Sequence, residues 1–150
     1  MKGYLVDTNV PSELTRETPD ARVAAFLESA GKESVFLSVT TVGEVCKGID
    51  MLPASQKRSA LQAWPDIDER AWFAGRILPV TESIAERWGR LAAAAKRKGV
   101  TLAVVDGVLA ATALEHHLTL VTRNVRDFAD LGVAVLNPWD AVDGTEAPVT

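Results

Sequence analysis

Five apolar runs of three or four residues alternate along the chain with segments of helical period, and no other feature restricts the fold as much. The runs are Tyr4-Leu5-Val6, Val35-Phe36-Leu37, Ile77-Leu78-Pro79-Val80, Leu118-Thr119-Leu120-Val121 and Val133-Ala134-Val135-Leu136. Their brevity and β-branched content favour buried strands. Between them, Val23, Phe26, Leu27 and Ala30 mark one face of a helix, with Pro19 near its start and Gly31 just past its end. Ile84, Trp88, Leu91 and Ala95 mark a second helix, closed by Lys96-Arg97-Lys98-Gly99. Val105, Val108, Leu109 and Thr112 mark a third. Strands that alternate with helices predict an α/β sandwich around a parallel sheet. The stretch from Ile49 to Gly75 resists assignment, because Pro65 interrupts its helical pattern after Trp64.

The whole chain of 150 residues, 47% of them hydrophobic, suits a single core. The expected folded unit is residues 1–140, with 141–150 an aperiodic, flexible tail. No apolar run approaches the roughly 20 residues that cross a bilayer. Asp7 follows the start too closely for a signal peptide. One cysteine, Cys46, leaves neither an internal disulfide nor a thiolate zinc cluster. These features together predict a cytoplasmic protein. The net charge of −4 lacks the basic excess usual in nucleic-acid binders, so any nucleic-acid contact needs a local basic patch or bound cations.

Acids and amides fall just after successive predicted strands, at the edge where open parallel sheets bind ligands. Asp7 ends Leu5-Val6-Asp7-Thr8-Asn9, where an Asx-turn or helix cap is the alternative reading. Glu44 follows the second strand in Thr41-Val42-Gly43-Glu44, which is also the spacing of a capping box and places Glu44 in a first helical turn. Asp106 opens the third helix between apolar neighbours, where a lone carboxylate is costly without a cation or donors. Asn124 and Asp127, in Thr122-Arg123-Asn124-Val125-Arg126-Asp127-Phe128, are candidates for a fourth oxygen-donating position. Asp127 equally suits a cap for a turn beginning near Phe128.

Three converging carboxylates repel unless a hard divalent cation compensates them, and magnesium uses few protein carboxylates while keeping several waters. Asp7, Glu44 and Asp106 are therefore the expected ligands of Mg2+. Such a site suits phosphodiester hydrolysis, with Glu44 the preferred group to orient or deprotonate water. Thr8 and Asn9 are expected to support the site, and Arg123 to meet a phosphate oxygen. Lys47, Arg87, Lys96, Arg97, Lys98 and Arg126 are further candidates for backbone contacts, each also readable as a solvated charge. His116 and His117 are adjacent, cannot face one site from a helix, and read as surface residues.

In order and spacing these motifs, together with Val135-Leu136-Asn137-Pro138-Trp139, resemble the PIN-domain nucleases, and among them the VapC-like toxins of toxin–antitoxin pairs. The resemblance runs from Leu5 to Trp139. It implies a five-stranded parallel sheet flanked by helices, and Mg2+- or Mn2+-dependent cleavage of RNA. It also implies homodimerisation and neutralisation by a cognate antitoxin at the active-site groove. Asp7, Glu44 and Asp106 correspond to the family's acidic core, whereas many relatives carry an acid where Asn124 stands here. Trp64, Trp72, Phe73 and Trp88 are candidates for partner surfaces, with core packing the more frequent fate. Two other classes compete: a phosphatase or phosphotransfer domain using Asp7, and a binding module that has lost turnover. Asn9 stands where the first rival often has its second acid. The three retained acids oppose the second.

Overall fold

Each of the five apolar runs contributes a strand. β1 (Tyr4–Val6), β2 (Val35–Ser38), β3 (Ile77–Leu78), β4 (Thr119–Val121) and β5 (Val135–Leu136) form one sheet in the order β3-β2-β1-β4-β5. Every neighbouring pair is parallel. The computed structural model describes residues 3–14, 16–56 and 72–140, so Trp64, Pro65 and the expected tail lie outside the described residues.

Helices cover both faces: α1 (Asn9–Leu14), α2 (Ala21–Ala30), α3 (Val39–Asp50), α4 (Glu82–Arg97) and α5 (Val104–Glu115). Their ends follow local chemistry. The Asp20 side chain accepts from Arg22 N to start α2, and Gly31, at φ 86°, donates to Leu27 O to close it. Thr81 caps α4, and the cations Lys96 and Arg97 lie in its last turn. The sequence reading did not foresee α1, whose six residues are too few to display a period.

Alternation along the strands divides the core in two. Val6, Val35, Leu37, Val121 and Leu136 face one side, where they pack with Val23 and Leu27 of α2, Ile49 of α3, Phe73 and Trp139. Leu5 and Leu120 face the other, under Leu109, Ala110 and Ala113 of α5 and against Phe128. In α5 every residue from Gly107 to Ala113 is buried, because α4 packs on its outer side through Ile84 and Trp88. A Cβ on Gly107 would sit 2.6 Å from Trp88 Cδ1, so only glycine lets the two helices approach there. The aromatics named as candidate partner surface are largely absorbed by packing. Phe73 is buried, and Trp72 and Trp88 are partly buried against core residues.

Candidate active site

The chain adds β2 and β3 on one side of β1, then returns to place β4 and β5 on the other, so the strand order switches between β1 and β4. The carboxyl ends of strands at such a switch are where open α/β sheets bind ligands. Asp7 is the first residue past β1. The register that pairs Val6 with Val121 brings it beside Thr122, the first residue past β4. Asp7 N donates to Val121 O at 2.8 Å and so continues the ladder.

The Asp7 carboxylate is buried, and donors hold both of its oxygens. Thr8 N donates to Oδ1 at 2.7 Å, and the Thr122 hydroxyl donates to Oδ2 at 2.8 Å. Burial nevertheless raises its pKa above the ordinary 3.8; those two hydrogen bonds oppose the rise, while the charges of Asp127 and Glu44 add to it. Thr122 is fully buried and central to the loop. Its oxygen also accepts from Asn124 N at 3.0 Å and Asn9 Nδ2 at 3.3 Å, and Asn9 Oδ1 accepts from Arg123 N at 3.3 Å. Thr8 thus meets Asp7 directly, Asn9 and Asn124 reach it through Thr122, and Arg123 joins through Asn9. The sequence reading did not single out Thr122. Its only signal was a polar residue at the end of an apolar run.

Asp106 is the third residue of α5, in a first turn whose N-cap residue, Ala103, has no side chain to offer. Its pKa is pushed up to about 6, first by burial and then by the charges of Asp127, Asp7 and Glu44. Glu44 and Asp127 therefore share an electrostatic neighbourhood with both aspartates, although they come from four different elements. The capping-box alternative for Glu44 does not form. Ser38 caps α3 by accepting from Thr40 N, so Glu44 falls in the second turn rather than the first. Asp127 does not cap a turn starting near Phe128 either. The 3-10 turn spans Val125–Phe128, with Asn124 at its N-cap position and no side-chain cap bond. Of the two fourth-position candidates, Asp127 is the one whose charge reaches Asp7 and Asp106.

The donor set is all oxygen, which suits a hard cation. Among the described residues no three His, Cys, Asp or Glu groups make a ready-made metal cluster. The acids act on one another through space, as like charges do. Among the named cations, Arg87 pairs with Glu115 at 3.7 Å. That contact and the Trp88–Gly107 approach run α4 antiparallel to α5. The exposed Lys96, Arg97 and Lys98 thereby come to the end of α5 that carries Asp106. His116 and His117 are exposed at the other end, outside this neighbourhood.

A pH dependence follows from Asp106. Its folded pKa lies above the ordinary 3.8, so in the ion-free protein its contribution to stability is complete below about pH 4 and lost as the pH rises through about 6. A cation held by Asp106 would require its proton to leave, so divalent affinity would have the opposite dependence. Thermal denaturation with and without MgCl2 should therefore show a clear magnesium-induced rise in Tm at pH 7.5 and little at pH 5. An equal rise at both values would contradict this assignment.

Comparison with known proteins supplies a family. The model of the PIN domain matches residues 4–134. Toxin FitB of Neisseria gonorrhoeae is 42% identical over 90% of this chain and 97% of its own. VapC ribonuclease Y4jK of Sinorhizobium fredii is 34% identical, over 91% of this chain and 97% of its own. The crystal structure of FitAcB from Neisseria gonorrhoeae contains a chain with a TM-score of 0.83 and 40% identity, covering 92% of this chain and 99% of that one.

Proposed function

The chain belongs to the PIN-domain family, and from that premise we propose that it is a Mg2+-dependent endoribonuclease, the toxin of a toxin–antitoxin pair. The observation that carries this reading is the electrostatic coupling of Asp106 to Asp7 at the carboxyl edge beside the strand-order switch, where burial raises each pKa and the charges of Asp127 and Glu44 add to the rise. Carboxylates arranged so that they repel destabilise the ion-free protein, and a bound divalent ion reverses that cost. The relatives named toxin and ribonuclease match over nearly their whole length, which supports the same activity here.

In this reading Asp7 and Asp106 are the principal ligands of Mg2+, with Mn2+ a substitute, and Glu44 is the third. When bound, the ion lowers the pKa of a coordinated water and neutralises charge on the phosphate. Asp7 contributes an oriented oxygen, because Thr8 N and the Thr122 hydroxyl fix its plane. Glu44, less buried than Asp7, accepts a proton from or orients the attacking water. Asp127, exposed on its 3-10 turn, stands as the fourth acid in the role that Asn124 cannot fill with charge. Arg123 and the Lys96–Lys98 end of α4 supply the cations that an RNA backbone requires despite the net charge of −4.

The partners in this reading are RNA, a second copy of the chain and a cognate antitoxin that covers the acidic groove. Among the described residues no helix is long and apolar enough to cross a membrane. The test is to incubate purified, antitoxin-free protein with structured RNAs in Mg2+, and to repeat the reaction after adding the antitoxin. Cleavage that the antitoxin suppresses is the expected result. Intact RNA in the antitoxin-free reaction would overturn the proposal.

A further inference from the structure

Arg123 differs from the other arginines whose contacts define them. Arg16, Arg22, Arg87 and Arg90 each pair with a carboxylate, and the Arg76 guanidinium donates to the Val35 and Trp72 carbonyls. The Arg123 guanidinium lies over the ring of Trp139, 5.3 Å from its centroid, as that of Arg76 lies over Trp72, but no carboxylate or carbonyl among the described residues takes its donors. A ring face fixes the plane of a guanidinium while leaving its N–H donors free.

The ring itself is rigidly placed. Trp139 is buried in a 3-10 turn (Pro138–Asp140) and packs in the core cluster beside α2. Its backbone N donates to Asn137 Oδ1, and its side chain is the weakest of the influences that lower the pKa of the buried Glu13 of α1. Glu13 is anchored in turn, since its carboxylate accepts from Asp20 N at 2.8 Å and from Arg16 at 3.3 Å. The backbone of Arg123 is tied into the loop around Asp7 through Asn9. The arginine is thus held at both ends: its backbone by the acidic site, its head group by an anchored aromatic.

We propose that Trp139 is a positioning residue that presents the Arg123 guanidinium to the phosphate backbone of an RNA beside the carboxylates. This rests on the nuclease reading above and adds to it the device that orients the substrate cation. It gives the closing Asn137-Pro138-Trp139 segment a part in recognition as well as in packing.

The test is a double-mutant cycle on the full chain, with binding of a labelled structured RNA followed by fluorescence anisotropy in EDTA across a salt series. Arg123→Ala is expected to weaken binding about tenfold, the scale of one hydrogen-bonded charge. It should also lower the slope of log affinity against log salt by roughly 0.7–0.9, the loss of one phosphate contact. Trp139→Leu should weaken binding several-fold in the wild-type background and have no further effect in the Arg123→Ala background. Trp139→Phe, which keeps a ring, should bind nearly as the wild type does, and it covers the case in which the leucine variant fails to fold. The proposal is overturned if the wild type binds no RNA, if Arg123→Ala leaves affinity and slope unchanged, if loss of the ring weakens binding equally in both backgrounds, or if Trp139→Phe binds as weakly as Arg123→Ala. Cleavage of the same RNA in Mg2+ is scored separately, so a failed nuclease reading and a failed positioning role give different results.

Discussion

Replacing Asp106 by asparagine is expected to lower RNA cleavage on the order of 10³-fold while making the ion-free protein more stable. The first effect follows if the carboxylate helps hold an ion that stabilises the transition state by several kcal/mol, each 1.4 kcal/mol being about tenfold in rate. The second follows from its surroundings. Burial and three neighbouring acids push its pKa up to about 6, so at pH 7.5 its charge opposes folding. An uncharged isostere removes that opposition. Discounted for solvent at a half-buried group, the gain is about 1 kcal/mol, or roughly 2–4 °C in Tm. Asp7→Asn should lose activity to a similar extent. Initial cleavage rates and thermal melts in EDTA read both quantities. A residue with a merely structural role would lose stability with its function, whereas here the two move in opposite directions. An Asp106→Asn protein that cuts RNA at the wild-type rate would remove the residue from the site.

The second large effect concerns Thr122. Thr122→Val keeps the shape of the side chain but removes the donor to Asp7 Oδ2 and the acceptor for Asn124 N and Asn9 Nδ2. Leaving buried polar groups unpaired costs about 1–3 kcal/mol, which for a chain of this size is roughly 2–12 °C in Tm. Groups that orient metal-binding carboxylates are worth about 10–100-fold in activity when removed. Thr122→Ser, which retains the hydroxyl, should recover most of both losses. Thermal denaturation and cleavage rates measured on the two variants decide the matter. A valine variant as active and as stable as the wild type would show that Asp7 does not depend on this hydroxyl.

The strands were legible because each is short, apolar and flanked by turn chemistry, and because α4 carries a long, unbroken helical period, whereas α5 is buried nearly all round. The arrangement of Asp7 near Asp106 was legible only as a consequence of topology: both stand where the chain meets the carboxyl edge of a parallel sheet. Thr122 escaped notice because its meaning lies in a partner 115 residues away, across a register that no local pattern encodes. Glu13 escaped for a different reason: its donors, Asp20 N and Arg16, come from the α1–α2 connection, which has no period to read. Glu44 was placed one turn too early because Ser38-Val39-Thr40-Thr41 offers several good caps, and local spacing does not reveal which of them ends the strand. Ser38 wins because it closes β2, where it pairs in register with Leu78. The choice between Asn124 and Asp127 likewise depended on the course of a 3-10 turn, which has no apolar period to read.

In the function proposed here, the carboxylates around Asp7 and Asp106 hold a divalent ion that supports RNA cleavage. Its most direct test is the rate of RNA cleavage by chelator-treated wild-type protein as Mg2+ is restored at pH 7.5. The expected result is no cleavage in EDTA and a saturable return of activity as Mg2+ is added, absent from Asp7→Asn and Asp106→Asn at the same concentrations. Cleavage that persists undiminished in EDTA, or a magnesium response that the two variants share with the wild type, would contradict it.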